Sequence, residues 1–243
     1  MEPKDRLIFP LDVSNREEAL GWMERLQDRV GLFKVGLELF VAEGLPFLQT
    51  MAAAFPRGYF LDLKFNDIPA TLRAAQQRLF NNVVFFTVHC ELGQGLLREI
   101  VHSCSDRIKF LVVTLLTSLN RDDLLTLGYD RRYALNPTEL VLLRAQLAQE
   151  AGCRGVICSG REVNAVKERC GKDFLAICPG IRPQWSLVPG DDQKRIVTPY
   201  EAIRAGADYI VVGRPIRLAA DPVAAAERVV EEIERALASR AKP

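Results

Sequence analysis

A chain of 243 residues, 49% hydrophobic and 26% charged, is long enough for one large domain with a sizeable core. Its formal net charge of +1 gives no global field that would draw it to nucleic acid or an anionic membrane, so any anion it binds must be held by local groups. No run reaches the roughly 18 apolar residues of a membrane span, and Met1-Glu2-Pro3-Lys4-Asp5-Arg6 lacks the apolar segment of a signal peptide. The six cysteines (Cys90, Cys104, Cys153, Cys158, Cys170 and Cys178) contain no Cys-x-x-Cys, so buried free thiols are expected rather than a zinc site. The expectation is a soluble, cytoplasmic protein.

Leu7 to Asp12 reads as a first strand, with Pro10 awkward for a central position. Ser14-Asn15-Arg16-Glu17 has the pattern of a capping box for a helix to about Asp28. A strand over Leu32 to Val35 precedes a helix over about Leu45 to Ala54. Tyr59 to Lys64 is the third strand, and Pro69 fits the first turn of a helix reaching about Phe80. Val83 to His89 is the fourth strand, followed by a helix over Gly95 to Ser103.

Ile108 to Leu115 reads as the fifth strand, followed by a short helix (Arg121 to Leu127) and a second one capped by Asn136-Pro137-Thr138-Glu139 and reaching Ala151. Gly155 to Cys158 is the sixth strand, with a helix from Glu162 to Cys170 stopped by Gly171. The seventh strand is Phe174 to Cys178. Pro179 to Val197 is a long loop, and loops of that length are often functional. Thr198-Pro199-Tyr200-Glu201 caps a short helix, Tyr209 to Val212 is the eighth strand, and Asp221-Pro222 opens a final helix to about Ser239. Eight alternations of short apolar strands with helices predict an α/β fold, a (β/α)8 TIM barrel spanning residues 1–243 as one catalytic domain. An open doubly wound sheet is the alternative, but no Gly-x-Gly-x-x-Gly follows the first strand.

In such a barrel the chemistry sits at the C-terminal strand ends. Asp12, Lys34, Asp62, Lys64, His89, Thr117, Ser159 and Arg214 fall there. The densest stretch is Asp62-Leu63-Lys64-Phe65-Asn66-Asp67. Strand alternation puts Phe60, Asp62 and Lys64 on one face and Tyr59, Leu61 and Leu63 on the other. An Asp-x-Lys on a strand is also what a plain edge salt bridge looks like. Here, though, the charges interrupt an apolar strand, where burial is costly unless they are paired or serve a site. A nucleophilic lysine needs a depressed pKa, and flanking carboxylates oppose that. The pattern favours a proton donor, or a positive charge aimed at a developing carbanion.

Val212-Gly213-Arg214-Pro215 combines close backbone approach with a guanidinium, as a phosphate site after the last strand requires, although a surface arginine after a tight turn has the same pattern. Arg182 and Gln193, in the long loop after the seventh strand, are candidates to close over the same anion, although a plain unstructured surface loop has the same pattern. His89 reads as a hydrogen-bonded structural histidine ahead of an acid or base, and His102 as a surface residue.

Taken together, Asp62 to Thr71 (DLKFNDIPAT), Pro179-Gly180-Ile181-Arg182-Pro183, Asp192-Gln193 and Val212-Gly213-Arg214-Pro215 resemble the orotidine 5′-monophosphate decarboxylase family across nearly the whole chain. The resemblance implies a cofactor-free, metal-free carboxy-lyase that converts orotidine 5′-monophosphate to uridine 5′-monophosphate and CO₂ in pyrimidine synthesis. It implies Lys64 as proton donor to C6 of the base, Asp62 against the departing carboxylate, and Lys34 and Asp67 completing an Asp/Lys charge array. Asp12 and Lys34 would contact the ribose, Thr117 the base, and Gln193, Gly213 and Arg214 the phosphate, with Arg182 nearby. The family also implies a homodimer in which Asp67 and Thr71 reach the neighbouring site. One departure is Cys90-Glu91-Leu92-Gly93-Gln94-Gly95, where the family more often has small residues and a Gly pair.

The nearest rival is a metal-dependent sugar-phosphate decarboxylase or aldol enzyme, holding Mg²⁺ with Asp12, Asp62 and an acid on the second strand. That position here is Lys34, and two ammonium groups make a poor cation cage. A Schiff-base aldolase on Lys64 and a non-catalytic phosphate-binding barrel are further alternatives.

Overall fold

The computed structural model describes residues 1–78, 82–103, 107–186 and 196–240. Eight strands pair in parallel, in chain order, and the last pairs with the first to close a barrel. They are β1 (Leu7–Pro10), β2 (Leu32–Val35), β3 (Tyr59–Phe65), β4 (Val83–His89), β5 (Lys109–Val113), β6 (Gly155–Ile157), β7 (Leu175–Cys178) and β8 (Tyr209–Val211). The helices are α1 (Arg16–Leu26), α2 (Leu37–Ala54), α3 (Pro69–Gln76), α4 (Gly93–His102), α5 (Arg121–Thr126), α6 (Arg131–Leu135), α7 (Pro137–Glu150), α8 (Val163–Cys170), α9 (Pro199–Ala205), α10 (Arg214–Arg217) and α11 (Pro222–Arg240). The expected (β/α)8 architecture is present, with α5, α6 and α10 added at the C-terminal side of their strands.

Alternation along the strands produces two apolar layers. Ile8, Leu32, Phe60, Phe85, Leu111, Ile177 and Val211 fill the barrel interior, while Phe9, Phe33, Leu61, Phe86, Phe110, Ala176 and Ile210 face the helices. Each fully buried large side chain contributes about 1.5–3 kcal/mol. Above the interior layer the same parity brings Lys34 of β2, Asp62 of β3 and Asp12, two residues past the end of β1, to the C-terminal mouth, over Leu32, Phe60 and Ile8 respectively. Pro10 is tolerated because it ends β1: pairing with β8 stops at Ile8↔Val211, so no ladder donor is missing.

Several local expectations change. The α1 cap is Asn15, whose side chain accepts from Glu18 N–H, and not Ser14. Helix α2 begins at Leu37 rather than Leu45; Gly44 (φ 63°) breaks it in the middle, which hides its first half from a periodicity reading. Asn136 makes no side-chain cap on α7 and instead donates to Glu139 Oε1 at 3.0 Å. The Thr198 capping box and the Asp221 cap on α11 are as expected. Among the described residues all five cysteines are free thiols, four of them buried, and no helix is long and apolar enough to cross a membrane.

Candidate active site

Strand β3 carries the centre of the site and is irregular there. Leu61 pairs with Phe86 and Phe65 with Val88, so four residues of β3 advance against two of β4. The extra residues fall on Asp62–Lys64, and Lys64 takes a positive φ of 52°. A bulge of this kind re-aims side chains at a barrel rim. Positive φ in a non-glycine residue costs about 1–3 kcal/mol and must be held by its surroundings. The hold is Thr87 on β4, whose Oγ1 accepts from Lys64 N–H (2.9 Å) and donates to Asp62 Oδ1 (3.0 Å).

The four charges form a chain of alternating sign. Lys34 Nζ lies 3.4 Å from Asp12 Oδ1 and 3.4 Å from Asp62 Oδ2, and Lys64 Nζ lies 3.0 Å from both Asp62 oxygens. Side-chain exposure grades along it: Lys34 at 11% and Asp62 at 12% lie deep, while Lys64 at 32% and Asp12 at 47% open to solvent. Burial works to raise the Asp62 pKa, but Lys34, Lys64 and the Thr87 hydroxyl outweigh it, and the carboxyl is held below its ordinary range. Burial likewise works to depress Lys34, and Asp62 and Asp12 outweigh it, so its pKa is raised. A buried carboxylate thus sits between two ammonium groups, one of them facing the opening.

Gly213 follows β8 at the same mouth. A Cβ there would stand 2.8 Å from Pro10 Cγ and 3.9 Å from Asp12 Oδ2, so only glycine lets the β8 end lie this close to the charged chain. Arg214 opens α10 beside it and is half-buried. Arg182 is buried, with Nη1 donating to Ile181 O at 3.0 Å. Thr117, half-buried, lies in the turn closed by Leu119 N–H on Leu116 O. Ser159 is buried and its N–H is held by Glu162 at 2.8 Å. Gln193 lies outside the described residues.

Asp67 and Thr71 are exposed beyond β3 and do not join the charged chain of their own barrel; the Asp67 carboxylate accepts from Ile68 N–H at 2.7 Å. His89 is a paired histidine, as expected, with Nδ1 2.6 Å from Glu91 Oε2. His102 is exposed. The ligand atoms of His89, Cys90 and Glu91 lie within 4.8 Å of one another, yet Arg144 already neutralises Glu91 at 2.8 Å and burial pushes the Cys90 thiol up to about 12, both unfavourable to a cation.

Thr87 escaped the sequence reading because threonine in Val83-Val84-Phe85-Phe86-Thr87-Val88-His89 is an ordinary strand former. The signal available was its parity: it lies two residues after the inward Phe85 and hence at the level of the β3 charges.

A model of the Orotidine 5′-phosphate decarboxylase / HUMPS family matches residues 5–229. The orotidine 5′-phosphate decarboxylase of Desulfosudis oleivorans is 47% identical over 237 residues, covering 97% of this chain and 95% of that protein. That of Syntrophus aciditrophicus is 43% identical over 249 residues, covering 98% and 97%. The crystal structure of orotidine 5′-phosphate decarboxylase from Lactobacillus acidophilus superposes with a TM-score of 0.78 at 35% identity, covering 93% of this chain and 98% of that one. The chain belongs to the orotidine 5′-phosphate decarboxylase / HUMPS family.

Proposed function

We propose that this protein decarboxylates orotidine 5′-monophosphate to uridine 5′-monophosphate, in pyrimidine biosynthesis, through the Asp/Lys chain and without a metal. The observation that carries the reading is the position of Lys34. Its ammonium stands 3.4 Å from both Asp12 and Asp62, in the space a divalent cation shared by those carboxylates would take. A metal-dependent sugar-phosphate enzyme on this barrel would have to place its cation against that charge.

The chemistry follows from the charges. The bond between C6 and the carboxyl carbon breaks, CO₂ leaves, and the electron pair stays on C6 with no ring position to accept it. The site must supply the stabilisation as fixed charge. Lys64 Nζ–H, the more open of the two ammonium groups, faces the developing carbanion and transfers its proton to C6; the amine then recovers a proton from solvent. Asp62, held ionised beside both lysines, is placed against the departing carboxylate and fixes the Lys64 amine. Asp12 and Lys34 hold the ribose, Thr117 the base, and Gly213, Arg214, Arg182 and Gln193 the phosphate. Phosphate contacts far from C6 supply binding energy that organises the reacting end. Asp67 and Thr71, exposed on their own barrel, complete the site of a partner in a homodimer.

The test is the absorbance change when protein stripped of metal meets orotidine 5′-monophosphate in EDTA. Conversion to uridine 5′-monophosphate supports the reading. No conversion, with Mg²⁺-dependent turnover of a sugar phosphate, would transfer the assignment to the metal-dependent class.

A further inference from the structure

Above β4 and β5 lies a second polar cluster that the charged chain does not use. Glu91 is its hub, with all of its acceptor capacity engaged. Its Oε1 accepts from Arg144 Nη2 (2.8 Å) and Tyr129 OH (3.2 Å), and its Oε2 faces His89 Nδ1 (2.6 Å) and Cys90 Sγ (3.2 Å). Burial works to raise the Glu91 pKa, but these hydrogen bonds and Arg144 outweigh it, and the carboxyl is held well below its usual range. Arg144, on α7 and only 11% exposed, also donates to Tyr129 OH (2.9 Å) and to the Thr114 carbonyl.

The cluster joins two strand ends. Thr114 follows β5 directly; its N–H and Oγ1 both donate to Ile157 O (3.3 and 2.8 Å), while its carbonyl is held by Arg144. Three residues on, the Leu116–Leu119 turn carries Thr117. The other arm runs through His89, the last residue of β4, two positions beyond the Thr87 that grips Asp62 and Lys64. Glu91 therefore stands between the segment that carries Thr117 and the strand that supports the charges.

We propose that Glu91 and Arg144 are positioning residues for the base-recognising side of the site. They set the Thr114–Leu119 turn through the Thr114 carbonyl and orient the His89 ring through Nδ1. The proposal rests on the decarboxylase reading, since it assigns Thr117 to the pyrimidine. It also gives a role to Glu91, at the place where the sequence departs from the family's small residues. A fixed guanidinium–carboxylate pair suits the task, because two rigid hydrogen-bonding planes hold a backbone carbonyl more tightly than a loop alone does.

The experiment measures kcat and KM for orotidine 5′-monophosphate, with inhibition by uridine 5′-monophosphate and by ribose 5-phosphate, in wild type, Glu91→Ala, Glu91→Gln and Arg144→Leu. Ribose 5-phosphate has the sugar and phosphate but no base. In Glu91→Ala and Arg144→Leu, KM and the uridine 5′-monophosphate inhibition constant should rise about tenfold or more, with ribose 5-phosphate inhibition unchanged within about twofold. Glu91→Gln, which keeps acceptors for Arg144, should recover most of the loss. Because Glu91 is 37% exposed, Glu91→Ala decides the matter even where Arg144→Leu fails to fold. Equal weakening of both inhibitors, or of neither, in a wild-type background that turns over the substrate, overturns the positioning role and leaves the decarboxylase reading intact. A wild type without turnover overturns both.

Discussion

The Thr87 hydroxyl bridges Asp62 and Lys64, donating to the carboxylate at 3.0 Å and accepting the Lys64 N–H at 2.9 Å. One buried side chain thereby fixes both the direction of the central carboxylate and the positive-φ backbone that turns the amine toward the opening. Thr87→Val keeps the shape and removes both bonds. It should cost about 1–3 kcal/mol of stability, because the Lys64 N–H is left without a partner. Denaturant unfolding reads that cost, and kcat should fall with it. Thr87→Ser, which keeps the hydroxyl, should restore most of both. A valine variant with wild-type stability and kcat would show that the bulge holds itself.

The charged chain also sets a pH dependence. The Asp62 carboxyl is lowered from its ordinary 3.8, so its contribution to stability is present above 3.8 and lost as pH falls through the folded value. Lys34 is raised from 10.5, so its contribution is present below 10.5 and lost as pH rises through the folded value. Asp62→Asn removes the carboxylate that lies between two ammonium groups, leaving Lys34 with Asp12 alone, and should cost about 3 kcal/mol at neutral pH. That difference from wild type should narrow in unfolding experiments at stepped pH below 3.8. A difference that stays constant through the acid range would remove Asp62 ionisation from the stability of the fold.

Gly213→Ala tests the close approach of β8 to β1. The new methyl would lie 2.8 Å from the Pro10 ring, which has no rotamer to escape into. Strain of about 1–3 kcal/mol is expected, with a rise in KM larger than the fall in kcat because the displaced segment is the proposed phosphate contact. An unchanged KM would separate Gly213 from substrate binding.

Dimer function is tested by mixing two inactive variants, Lys64→Ala and Asp67→Ala. If Asp67 serves the partner's site, each mixed dimer regains one native site, and random exchange restores roughly a quarter of wild-type sites. No recovery after exchange would place Asp67 in its own barrel, and an Asp67→Ala protein that is active by itself would put it outside the reaction.

The barrel and its charged centre were legible in the sequence because both depend on short-range pattern. Phe60, Asp62 and Lys64 alternate with Tyr59, Leu61 and Leu63, and Lys34 interrupts an apolar strand in the same way. What was not legible depends on contacts distant in the chain or on elements too short to show a period. Thr87 meets Asp62 across 25 positions, and Arg144 meets Glu91 across 53. Helices α6 and α10, of 5 and 4 residues, are shorter than two turns. The bulge at Lys64 looks like plain alternation in the sequence because Lys-Phe-Asn carries none of the glycine that usually marks positive φ.

The most direct measurement is the turnover of orotidine 5′-monophosphate by Lys64→Ala, made beside its far-UV circular dichroism and thermal midpoint. If Lys64 delivers the proton to C6, the rate falls by at least about a hundredfold while the fold signals stay close to wild type. A folded Lys64→Ala protein with near-normal turnover would contradict that role and with it the chemistry assigned to the charged chain.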